Sequence, residues 1–149
     1  MRLSATQKAT VKQIASCVLS ALSPEELGLV DDYVETKPSR KFDGMLGFGV
    51  DIELGLILPA LLASLQEIAS TATIDIAERY GYEVARWLAG QRQEPPRASE
   101  LQKLEAVLQQ RLLERLAPER ANEVAECVVS TFRSRAEFLR KLTESTERN

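Results

Sequence analysis

Apolar residues recur every third or fourth position through most of this chain, the period of helices lying against a core. From Ser4 to Leu22 they are Val11, Ile14, Ala15, Val18 and Leu22, with Lys8, Lys12, Gln13 and Ser16 on the other side. That spacing predicts an amphipathic helix. Ser23-Pro24-Glu25-Glu26 predicts a fresh start. Ser23 can cap, Pro24 suits the first helical position, and Glu26 stands where a capping box places its acid. Leu27, Val30 and Val34 make the stripe of this second helix, with Tyr33 alongside, and Lys37-Pro38 ends it.

The stretch Gly44–Leu65 organises the rest. Three glycines (Gly44, Gly47, Gly49) precede two carboxylates, Asp51 and Glu53, and then an apolar run from Leu54 to Leu65. Leu54, Leu58, Leu61, Leu62, Leu65 and Ile68 share a broad helical side, which predicts a helix buried on several faces at the centre of a bundle. Pro59 implies that this helix kinks or begins there. Asp51 and Glu53 read as charges at its positive end rather than as a catalytic or metal-binding pair.

After a soft point at Ser70–Thr73, the clearest pattern runs from Ile74 to Leu88, through Ile74, Ala77, Gly81, Val84 and Leu88. Ala77, Gly81, Ala85 and Ala89 add a row of small residues every fourth position, a groove that admits another helix, with Tyr80 and Trp87 along one side. Asp75, Arg79 and Glu83 predict a ladder of charge pairs outside it. Gly90 marks the stop.

The segment 91–98 carries a double proline and is a hinge candidate between residues 1–90 and a C-terminal helical hairpin, 99–146. Ser99 is its candidate cap. Beyond it, Leu101, Leu104, Leu108, Leu112 and Leu116 form one stripe. After Pro118, the residues Val124, Val128, Phe132, Ala136 and Leu139 form another. The Leu-small-Pro-Glu turn at Pro24 has an echo at Pro118, a duplicated hairpin or convergence on one turn solution. The expectation is a single all-α domain: a bundle of five to six helices, with two helix–turn–helix hairpins flanking a hydrophobic central helix.

Composition narrows the function. The 149 residues carry a net charge of −3, which supplies no electrostatic footprint for nucleic acid. The loop Thr36–Gly49 does hold Lys37, Arg40 and Lys41 beside Phe42 and Phe48, too few basic residues to dominate such binding. Its glycines match neither a phosphate loop nor a dinucleotide fingerprint. Histidine is absent, which removes the usual general base near neutral pH and the commonest metal ligand. Cys17 and Cys127 are far apart and form no CxxC motif, so each reads as a small apolar side chain. No secretory signal or span-length apolar run is evident, and a cytoplasmic location is expected.

These features favour a non-enzymatic module for protein–protein interaction or oligomerisation, with no cofactor and no metal. Its partner would be another protein or a second copy. Its candidate contact residues are Ala77, Tyr80, Gly81, Ala85, Trp87 and Ala89. Two alternatives are membrane association through the apolar segment 46–65 and a small-molecule pocket around Phe48, Tyr80 and Trp87.

Overall fold

The computed structural model describes residues 3–35 and 56–144. Eight α-helices run through them: α1 Ala5–Leu22, α2 Val30–Glu35, α3 Leu58–Ala69, α4 Ile76–Tyr80, α5 Tyr82–Leu88, α6 Gln102–Leu113, α7 Pro118–Ser134 and α8 Ala136–Leu142. Short 3-10 turns at Pro24–Leu29, Thr73–Asp75 and Ala98–Leu101 lead into α2, α4 and α6. The all-helical expectation holds, and no strand occurs among the described residues. The count exceeds the expected five to six because two of the expected helices are each broken in two, at Gly81 and at Arg135.

The apolar run takes the centre, as its all-round hydrophobicity requires. Leu58, Leu61, Leu65 and Ile68 of α3 are fully buried, and α1 and α6, one from each hairpin, pack against it. Pro59 does not bend this helix. It lies in the first turn, where its missing N–H has no partner to lose. The capping assigned to Asp51 and Glu53 falls outside the described residues. At the start of α3 the carboxylate is that of Glu26. It accepts the backbone N–H groups of Ile57 and Leu58 at 2.9 and 2.8 Å. Ser23 therefore caps no turn of its own; its hydroxyl donates to the Glu26 carboxylate at 2.8 Å. Glu26 is only 2% exposed, and its charge meets the positive end of the α3 dipole.

Three other side chains complete helices to which they do not belong. Ser4 and Gln7 form a capping box at the start of α1 (2.9 and 3.0 Å). The Gln7 carboxamide nitrogen then donates to the carbonyls of Ala69, at the end of α3, and Leu142, at the end of α8 (3.3 and 2.9 Å). Arg120, in the first turn of α7, donates to the Leu22 carbonyl at the end of α1 (3.1 Å). Arg140 of α8 donates to the Trp87 carbonyl at 3.1 Å, and its guanidinium lies 4.2 Å from the centre of the Trp87 ring. Helix ends leave carbonyls unpaired, and here distant side chains supply the partners.

The break at Arg135 (φ −134°, ψ 72°) has local support. The hydroxyls of Thr131 and Ser134 bond back to the carbonyls of Cys127 and Ser130, which loosens the last turn of α7. The chain then turns so that Phe138, Leu139 and Leu142 all enter the core.

The segment 91–98 is bonded on both sides. Arg92 donates to Glu83 at 3.1 Å, to Glu100 at 2.9 Å and to the Pro95 carbonyl at 3.3 Å, and Pro96 is buried. The segment leaves α5 through a Schellman turn: Gly90 N–H donates to the Trp87 carbonyl and Gln91 N–H to that of Arg86. The stop predicted at Gly90 is present, with φ +80°. Ser99 caps nothing; the cap at this point is Glu100, whose carboxylate accepts the Arg97 N–H at 2.9 Å. The two proline turns also differ. Pro24 opens a 3-10 segment, whereas Pro118 opens the seventeen-residue helix α7 directly.

Candidate interaction face

Gly81 decides the shape of the region read as a groove. Its φ of +112° and ψ of 146° lie where residues with a Cβ rarely go, so it ends α4 and begins α5. The closest atom to a Cβ placed there is the Glu100 carbonyl oxygen, at 3.6 Å, an ordinary contact. The constraint at Gly81 is therefore the backbone angle and not a lack of space.

Because the helix is interrupted, its predicted phase does not carry through. Tyr80 and Trp87 are 1% and 3% exposed and belong to the core instead of walling a groove. The Tyr80 hydroxyl is 2.7 Å from that of Thr71, and burial pushes its phenol above the ordinary range. Ala77, Gly81 and Ala85 are half-buried and Ala89 is exposed, so the small residues form no continuous helical row. The charge ladder is replaced too. Arg79 pairs with Glu67 of α3, and Glu83 pairs with Arg86 and Arg92.

Two apolar side chains emerge from this reorganisation. Ile74, expected in the core stripe, is 86% exposed, because Ile76 takes the buried position at the start of α4. Tyr82, directly after Gly81, is 69% exposed. No local signal sets either apart: Gly81 fits the helical spacing, and its interruption shows only in its φ of +112°. Ile74, Ala77 and Tyr82 thus lie along one short, kinked segment. Exposed charges of both signs accompany it: Asp75, Glu78, Arg79 and Lys103, the last donating to the Glu78 carbonyl at 3.3 Å.

One hollow of about 250 Å³ opens between Gly81–Glu83 and Ser99–Lys103, and one of about 300 Å³ lies at Ser134–Phe138. Neither is lined by Tyr80 or Trp87, and Phe48 falls outside the described residues, as does the basic loop at Lys37, Arg40 and Lys41. Among the described residues no three His, Cys, Asp or Glu side chains are grouped to hold a metal ion. No described helix is long and apolar enough to cross a membrane. No protein-family model, curated protein or solved structure matches this chain.

Proposed function

We propose that the protein is a non-enzymatic helical assembly module that associates with a second copy of itself through the kinked segment from Ile74 to Tyr82. The observation that carries this reading is the exposure of Ile74 and Tyr82, two large apolar side chains with a turn of helix between them. A symmetric pair needs a self-complementary patch, and the surrounding Asp75, Glu78, Arg79 and Lys103 offer both signs of charge to a second copy. The expected cytoplasmic location accompanies this reading. Membrane association is less well supported, because it would have to release Leu58, Leu61 and Leu65 from the core.

Magnitudes set the expected strength. Burying an Ile and a Tyr from each copy contributes roughly 6–12 kcal/mol in gross terms. Association itself costs about 4–15 kcal/mol. The surplus is small, so a weak dimer with a dissociation constant in the micromolar range or above is expected. Sedimentation measured up to hundreds of micromolar should show mass rising with concentration. Ile74→Ser and Tyr82→Ser should each weaken association about tenfold while leaving the helical circular dichroism intact. A chain that remains monomeric throughout, or one that associates equally well with both substitutions, contradicts the proposal.

A further inference from the structure

The two cysteines, 110 residues apart in sequence, lie on helices that pack together. Arg120 ties the start of α7 to the end of α1, and Gln7 ties the start of α1 to the end of α8, which comes directly after α7. The two helices therefore run antiparallel. Cys17 lies five residues before Leu22, and Cys127 seven residues after Arg120. At 1.5 Å per residue their heights below the shared end are about 7.5 and 10.5 Å, nearly level. Each side chain is half-buried and packs against the core, and the residue after each, Val18 and Val128, is fully buried. Both cysteines thus border the same core with one flank open to solvent. Both are unpaired thiols. Burial and, less strongly, the neighbouring Cys17 hold the Cys127 thiol above the ordinary range.

We propose that Cys17 and Cys127 form an intramolecular redox pair that closes a disulfide between α1 and α7. A disulfide needs the two Cβ atoms about 3.5–4.5 Å apart, a spacing set by the approach of the α1 and α7 backbones, and rotation about each Cα–Cβ bond then brings the two sulfurs together. The oxidant is a small-molecule disulfide such as oxidised glutathione. The thiolate of one cysteine attacks it, its S–S bond breaks and one thiol leaves. The other cysteine loses its proton to solvent, attacks the protein-bound sulfur and expels the second thiol. One S–S bond forms in the protein, and the oxidant is reduced to two thiols.

The test treats the full chain with excess oxidised glutathione near pH 8 and no denaturant. Intact mass should fall by about 2 Da with both thiols lost, and the melting temperature should rise by several degrees until a reductant is added. Cys17→Ser and Cys127→Ser should each stop at a single glutathione adduct without that rise. Persistent adducts on the unaltered chain, a covalent dimer or two unreacted thiols would overturn the pairing.

Discussion

Glu26 exemplifies how a residue can carry a signal whose meaning is not local. Its position three after Ser23 suggests a capping box, and the two side chains do meet. The carboxylate nevertheless serves a helix 31 and 32 residues further along, at Ile57 and Leu58. No spacing rule reaches that far, because the pairing exists only once α3 has packed beside the turn. Glu26→Ala would leave two buried N–H groups unpaired and remove a charge from the dipole, a loss of about 2–4 kcal/mol. Glu26→Gln keeps one acceptor oxygen and should cost less. Urea unfolding of both variants checks the order; equal stability of Glu26→Ala and the unaltered chain would contradict the role.

Among elements, those specified by their own stripe were legible. Leu101, Leu104, Leu108, Leu112 and Leu116 are all buried, as the leucine pattern before and through α6 predicted. Pro118 starts α7 where its sequence placed the start. The breaks were not legible. Gly81 fits a helical row of small residues, and only its positive φ shows it to be an interruption. Arg135 has good helical propensity, and the turn there results from burying Phe138, Leu139 and Leu142 together. This is tertiary packing overriding local preference. Of the candidate contact residues, Ala77 and Gly81 remain in the proposed face. Tyr80 and Trp87 do not, because a helical phase continued unbroken across Gly81 puts their side chains on the wrong side. Gly81→Ala should cost roughly 1–3 kcal/mol from backbone strain, with no overpacking contribution. A melting temperature unchanged by that substitution would show that the angle is relaxed in solution.

Across the whole molecule, the architecture of an apolar centre between two hairpins was readable because burial dominates it. The connection from α5 to α6 was less so, since a double proline marks both hinges and fixed turns. Here Arg92 and then the Arg97 N–H hold the Glu100 carboxyl at about 2, below its ordinary 4.5. A carboxylate depressed by folding stabilises fully above the ordinary value, and that contribution disappears as pH falls through the folded value. The tie should therefore be intact above about pH 4.5 and weaken toward pH 2. Urea midpoints over that window should fall less steeply for Glu100→Gln than for the unaltered chain. Parallel curves would mean that the network contributes nothing to folding.

The Gln7 clasp sets an order of events during synthesis. Its carboxamide joins the beginning of α1 to Leu142, 135 residues later. A chain emerging from the ribosome can form α1 early, but that helix stays without its final neighbours until α8 has cleared the exit tunnel. Until then the nascent protein carries Val11, Ile14 and Val18 partly uncovered. Chaperone engagement is consequently expected on α1 while its later partners are still being made.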